Sequence, residues 1–309
     1  MIEALWRRSR ALWLKRQWQS LLLIGTTTLS LGFLGLGLIR GWRELLRYRW
    51  QFDWLPLGLS GATYSVALAL AVLAWVVIMR ALQAGSTWRQ DAKFFLYSWI
   101  ARRLPTPAPY VASRVLLYER IGVPKRLTGV GLIWENILLV VSGAMLVLLL
   151  LPLTPVLSTR IGPAPILLAA AGLLLVVRPI WLTQAANWVL RRMGKAPLTI
   201  SISPMAALLA LVVYTAIWLT GGVILFFLIR SLYPIDWALL PLIVQSWVFS
   251  GLVSYLVFFL PIGFGIRELT LAALLSLVIP LSVAVVIVIL ARIWVMANEV
   301  LWALIFSKL

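Results

Sequence analysis

The 309-residue sequence contains no cysteine and no histidine. The absence of cysteine excludes disulfide bonds and thiol chemistry, and the absence of both residues excludes Cys/His metal sites. A catalytic triad that depends on histidine is excluded as well. Acidic residues are also scarce, with nine Asp and Glu against 27 Lys and Arg, and they are scattered along the chain. We therefore expect neither an enzyme active site nor a metal or cofactor site.

Hydrophobic residues, by contrast, make up 63% of the chain, and its mean hydropathy is +1.02. A soluble domain has about 45–50% apolar residues, and a helix needs about 20 apolar residues to cross a bilayer. The run at 65–79, SVALALAVLAWVVIM, is continuously apolar rather than alternating, which favours helices over a barrel. The sequence predicts an all-α polytopic membrane protein.

Six segments are predicted to be full spans: residues 19–39, 56–82, 127–151, 165–183, 202–229 and 281–305. Two other apolar regions, 92–122 and 238–279, are interrupted by LPTPAP and PIGFG. Pro and Gly at this density end a helix, and irregular backbone at membrane depth persists only where protein or a water-filled cavity buries it. We interpret both regions as re-entrant helical hairpins, broken at the Pro/Gly segment.

The basic residues predict a topology. Loops placed inside carry 19 Lys and Arg, and those placed outside carry six, which favours cytoplasmic N- and C-termini. The same excess attracts anionic lipid headgroups, and no nucleic-acid partner is expected. Within one transmembrane domain, 1–309, the segments 19–151 and 165–305 each read as span, span, broken hairpin, span. Since the two begin on opposite sides, they form an inverted repeat, a pattern that places a transporter site at the interrupted segments.

Ionisable residues lie in or beside the apolar segments, namely Arg114, Glu135, Arg267, Glu268, Arg292 and Glu299. A charge at the centre of a membrane helix costs about 2.5–3.5 kcal/mol, so such residues normally face the interior and mark functional sites. A structural alternative exists for each: Arg267 and Glu268 snorkelling to water, Glu135 neutralising only Arg114, and Arg292 neutralising only Glu299.

The chemistry that these residues offer is narrow. Arginine presents a planar set of donors suited to phosphate, and helix N-termini add free N–H groups. Gly263 and Gly265 allow the backbone to approach a ligand closely. The combination favours an anionic phosphate headgroup.

The stretch FFLPIGFGIRELTLAALLS, residues 258–276, resembles the transmembrane domain of the bacterial lysylphosphatidylglycerol synthetase/flippase family. The family motif is matched by Pro261, Gly263, Gly265, Arg267 and Glu268, with Ile262 in place of a Gly. An earlier, weaker motif resembles Pro105, Arg114 and Glu135. The chain is similar to stand-alone members without the synthetase domain, so aminoacyl transfer is not expected.

The resemblance implies a flippase in the bacterial plasma membrane that moves an anionic phospholipid or a polyprenyl- or glycolipid between leaflets. Arg114 and Arg267 would contact the phosphate, with Glu135, Glu268, Arg292 and Glu299 positioning or balancing them. Membrane lipids are the expected partners, and a second copy or an envelope-biosynthesis protein stays open. The alternatives are a small-solute or ion-coupled secondary transporter and a non-transporting accessory subunit.

Overall fold

A computed structural model describes residues 52–101, 108–155, 164–192, 202–258 and 265–307, with a few isolated positions besides. The predicted span 19–39 lies almost wholly outside these residues. So do Pro105, Pro261 and Gly263, which the sequence placed at the two breaks.

The described segments form ten α-helices and two single turns of 3₁₀-helix, at Leu151–Leu153 and Trp237–Leu239. The α-helices are α1 (Trp54–Ala81), α2 (Trp88–Ala101), α3 (Ala108–Glu119), α4 (Lys125–Leu150), α5 (Ala164–Val177), α6 (Ile180–Arg192), α7 (Pro204–Arg230), α8 (Leu240–Phe258), α9 (Ile266–Leu275) and α10 (Leu281–Ser307).

Within the described ranges, five helical stretches are long and apolar enough to cross a membrane: Trp54–Ala81, Lys125–Leu153, Pro204–Arg230, Trp237–Tyr255 and Leu281–Phe306. Four of them coincide with the spans predicted at 56–82, 127–151, 202–229 and 281–305. Large apolar side chains such as Leu149, Met205 and Val300 are exposed on these helices, as lipid-facing residues are. The regular structure of the described residues is therefore all-helical, as predicted, and its five long apolar helical stretches are consistent with a multi-pass membrane protein.

The two interrupted regions each contain two helices, as predicted. Helices α2 and α3 form the first region, and α8 and α9 form the second. The arms differ in length, because α8 has 19 residues and its stretch is one of the five that reach spanning length. The first region therefore consists of two short helices, whereas the second combines a helix of spanning length with a short one.

The structure divides the span predicted at 165–183. Helix α5 ends at Val177 and α6 begins at Ile180. Pro179 lies between them and has no N–H to donate, and it disfavours helical backbone at the preceding Arg178. Neither helix alone reaches the length of a span, so the continuous span predicted here is wrong.

Side-chain caps begin three of the helices. The Asp53 carboxylate accepts a hydrogen bond from the Leu55 N–H at the start of α1. At the start of α2, Thr87 and Gln90 exchange side chain–backbone bonds in a capping box. Ser203 accepts from the Ala206 N–H before α7, as expected from its place before a proline.

Helices from the two ends of the chain pack against each other throughout the bundle. Helix α1 packs along α7, and α4 packs on both α7 and α8. The remaining pairings among α1–α4 and α7–α10 are α1 with α2, α4 and α10; α2 with α3 and α10; α3 with α4; α7 with α8 and α10; α8 with α9; and α9 with α10. The buried apolar side chains form two clusters, one mainly of α1–α4 with α7 and α8, and one of α7–α10.

Buried polar side chains also join these helices, as Gln245 and Ser60 show. Gln245 on α8 donates from Nε2 to the Val147 carbonyl oxygen at 2.8 Å and accepts from Thr154. Ser60 on α1 donates to the carbonyl oxygen of Ile224 at 2.9 Å and accepts from Trp294 Nε1 at 3.0 Å. Such bonds between helices contribute about 0.6 kcal/mol each inside a membrane protein, so they fix register more than they stabilise.

Candidate functional site

Arg114, on α3, is completely buried and tied to two other helices. Its Nη1 donates to Glu135 Oε2 on α4 at 2.7 Å, and the Glu135 side chain is only 4% exposed. Its Nε donates to Ser98 Oγ on α2 at 2.8 Å. The ion pair and the serine bond therefore hold α2, α3 and α4 together around one guanidinium group.

Three aromatic rings surround that guanidinium. Its carbon lies 4.1 Å from the centre of the Trp75 ring, 4.6 Å from Tyr110 and 4.7 Å from Phe95. The Tyr110 hydroxyl also donates to Glu135 Oε2 at 2.9 Å. Cation–π contacts strengthen when the cation is desolvated, so the rings offset part of the cost of burying the charge.

The sequence prediction that Arg114 and Glu135 belong to one site is compatible with this geometry. Their mutual neutralisation, the structural alternative, is the arrangement in the structure. The guanidinium is not saturated, however, because Arg114 Nη2 has no hydrogen-bond partner although it is buried. The pair therefore retains donor capacity at the centre of the bundle.

A second buried carboxyl group adjoins this cluster. Asp91 on α2 accepts at Oδ1 from the Tyr118 hydroxyl at 2.5 Å and from Ser86 at 2.6 Å, while its Oδ2 has no partner. Burial raises the pKa of Asp91 above its ordinary value, against the opposing effect of these bonds. Trp75 donates to the Tyr118 oxygen at 2.7 Å and stacks on Arg114, so it connects the two buried groups.

The sequence analysis missed Asp91 and the tyrosines, although a signal was present. Tyr110, Arg114 and Tyr118 are spaced four residues apart, which places all three on one face of a helix. Asp91 and Ser98 are seven apart, two turns along α2. Matching polar faces on the two arms of a hairpin predict that the arms pack through those faces.

The charges of the later region form a separate and more exposed group. Arg292 on α10 donates to Glu268 on α9 at 2.7 Å, with side-chain exposures of 35% and 19%. The neighbouring Arg267 lies over the Trp247 ring of α8, 4.1 Å from its centre. Gly265 begins α9 with φ of 111°, a left-handed backbone conformation that favours glycine.

Glu299 is placed away from the pair that the sequence suggested for it. Its Oε1 accepts from Trp99 Nε1 at 3.2 Å, while the ion pair of Arg292 is with Glu268. The sharing of one face of α10 did not decide the pairing, because α9 brings a nearer carboxylate to Arg292. Glu299 instead lines a recess of about 20 Å³ with Tyr64 and other aromatic residues of α2 and α10, enough for about one water molecule.

Comparison with protein-family models finds no match for this chain. A comparison with curated proteins finds no match either. What the chain does is therefore argued from the placement of its charged residues, and the likeness of its Pro/Gly/Arg/Glu motif to the lysylphosphatidylglycerol synthetase/flippase family remains an expectation.

Proposed function

We propose that this protein moves a lipid with an anionic phosphate headgroup between membrane leaflets. The observation that carries the proposal is a correspondence between two ion pairs. Arg114 and Glu268 lie on the helices that follow the two breaks, and each pairs with a residue about three turns into the next helix, Glu135 or Arg292. Paired charges in otherwise apolar helices are typical of substrate pathways in membranes.

The packing of the helices supports a repeat that relates the two pairs. We assign α1–α4 to the first half and α7–α10 to the second half, so that α1 corresponds to α7 and α4 to α10. Under this exchange, each pairing among the eight helices given above has its counterpart: α2 with α3 becomes α8 with α9, and α4 with α8 becomes α10 with α2. A site at the junction of two such halves is common in transporters.

The proposed inverted arrangement of the halves is testable with single cysteines, because the chain has none of its own. We expect Arg89→Cys and Arg120→Cys, which flank α2 and α3, to react with a membrane-impermeant maleimide from one side only. Ala238→Cys and Leu281→Cys, which flank α8 and α9, should both react from the opposite side. Labelling of the two members of either pair from different sides would show a full crossing instead of a hairpin.

Arg267 is the residue that we expect to matter most for headgroup contact, because the residue as a whole is half-buried and its guanidinium rests on Trp247. A lipid moved this way keeps its acyl chains in the bilayer, so only the headgroup needs a polar path. Stacking on an aromatic ring orients the planar guanidinium of an arginine, while its N–H groups remain able to donate hydrogen bonds to a phosphate.

The test is leaflet exchange in reconstituted liposomes with labelled phosphatidylglycerol and labelled polyprenyl phosphate. We expect wild-type protein to accelerate exchange of at least one of them, and Arg267→Ala to slow it by about tenfold or more, as for a lost hydrogen bond to a charged group. Arg120→Ala, at an exposed position, is the matched control. Equal exchange with and without protein, for both lipids, would rule the proposal out.

A further inference from the structure

Among the buried hydrogen-bonding groups that have no partner, two lie in different halves of the protein and are able to donate. One is Nη2 of Arg114, in the first half, and the other is the hydroxyl of Tyr214, on α7 in the second half. The two residues are 0% and 2% exposed. A buried polar group that lacks a partner costs about 1–3 kcal/mol, and each such group in a folded protein requires an explanation.

The two groups belong to helices that meet at α4. Trp218, one turn after Tyr214 on α7, donates to the carbonyl oxygen of Leu139, one turn after Glu135 on α4, at 2.9 Å, and α4 packs directly against α7. Oε2 of Glu135 already accepts from Arg114 and from Tyr110. Arg114 Nη2 can only donate, and the Tyr214 hydroxyl can donate as well as accept, so one available donor lies on α3 and one on α7.

The charge of the surroundings decides which acceptor suits these donors. Glu135 neutralises Arg114 at 2.7 Å, so the site has fixed donors but little net positive charge. A singly charged phosphodiester oxygen gains charge-assisted bonds from such donors. Inorganic phosphate is partly a dianion at neutral pH, since its second ionisation lies near that of a phosphomonoester, and it would meet stronger repulsion from Glu135.

We propose that the Tyr214 hydroxyl and Arg114 Nη2 together bind a phosphodiester oxygen of the lipid headgroup, bridging the two halves of the protein. This assignment rests on the proposed function and names the second-half residue of the headgroup site. Admission of the headgroup requires the halves to separate at this point, because both donors are buried in the structure described here.

Tyr214→Phe tests the assignment, because it removes only the hydroxyl. In the absence of lipid the variant should be at least as heat-stable as the wild type, since the hydroxyl has no partner to lose. Its affinity for dihexanoyl phosphatidylglycerol should fall by about 10- to 100-fold, the range for one hydrogen bond to a charged group. Tyr97→Phe, at an exposed tyrosine, should bind like the wild type.

Equilibrium binding is measured for three probes: dihexanoyl phosphatidylglycerol, dihexanoylglycerol without phosphate, and inorganic phosphate. We expect wild-type affinity to fall in that order. Equal phosphatidylglycerol affinity in the wild type and Tyr214→Phe, or a marked loss of stability in the variant, would overturn the Tyr214 assignment alone. Failure of the wild type to distinguish phosphatidylglycerol from the phosphate-free probe would overturn the phosphate-headgroup proposal and this assignment together.

Discussion

Glu135→Gln is expected to destabilise the folded protein by about 3–5 kcal/mol, the cost of leaving one member of a buried ion pair uncompensated. Arg114 carries a positive charge, and it is completely buried. The glutamine amide oxygen can still accept a hydrogen bond from Arg114, but neither it nor Ser98 and the three ring faces supplies a negative charge.

The chain contains a matched control for this substitution. Glu119 also forms an ion pair, with Lys125 at 2.9 Å, but the two side chains are 46% and 61% exposed. Exposed pairs contribute about 0–1 kcal/mol, so Glu119→Gln should have little effect. Reversible unfolding in mixed detergent micelles compares the two variants under the same conditions. Similar losses of stability in both would show that burial of the Arg114 pair has no special cost.

A double substitution separates the loss of the pair from the presence of an unpaired charge. Arg114→Leu combined with Glu135→Leu removes both charges, and replacement of a whole buried pair by apolar residues is often neutral or stabilising. We therefore expect the double variant to be more stable than either single variant. A double variant that loses the sum of the single effects would contradict this account and would assign the cost to packing.

The multi-pass helical class and four of the spans were predictable from the sequence, because a continuous run of about 20 apolar residues is typical of a membrane-spanning helix. The break of the span at 165–183 was also readable, since Pro179 interrupts it. The cap at Ser203 and the positive φ at Gly265 are local features, because each depends on the residues next to it in the chain.

The partners of the charged residues were less predictable. The sequence suggested Glu299 as the partner of Arg292, but the packing of α9 on α10 brings Glu268 to it instead. Likewise, no local sequence pattern predicts that the Trp75 ring of α1 stacks on the Arg114 guanidinium of α3. Side-chain partners across helices depend on rotation and depth of each helix, which an apolar run leaves undetermined.

Trp218→Ala is the other substitution for which we expect a loss of about 3–5 kcal/mol, as for a large aromatic residue removed from a packed core. Trp218 lies on α7 and is 6% exposed. Its Nε1 donates to the Leu139 carbonyl oxygen on α4 at 2.9 Å, so the indole connects the two halves. The cavity that the substitution leaves removes van der Waals contacts from the surrounding side chains.

Two glycines make room for that indole. A Cβ at Gly251 on α8 would lie 2.6 Å from the Trp218 ring, and one at Gly143 on α4 would lie 3.0 Å from its Nε1. The ring therefore fills a space between α4 and α8 that other residues would block. Small residues at membrane-helix interfaces allow such close packing, and alanine at position 218 cannot refill the space.

The control for Trp218→Ala is Trp188→Ala on α6, because Trp188 is 58% exposed. We expect the control to change the unfolding free energy by less than about 0.5 kcal/mol, as for a surface substitution. The loss of unfolding free energy in Trp218→Phe should lie between the losses in these two variants, since phenylalanine retains an aromatic ring but lacks the N–H that donates to Leu139. Because the indole joins the halves, Trp218→Ala should also weaken binding of dihexanoyl phosphatidylglycerol. If Trp218→Ala changes the unfolding free energy as little as Trp188→Ala does, the packing of α7 against α4 does not depend on this contact.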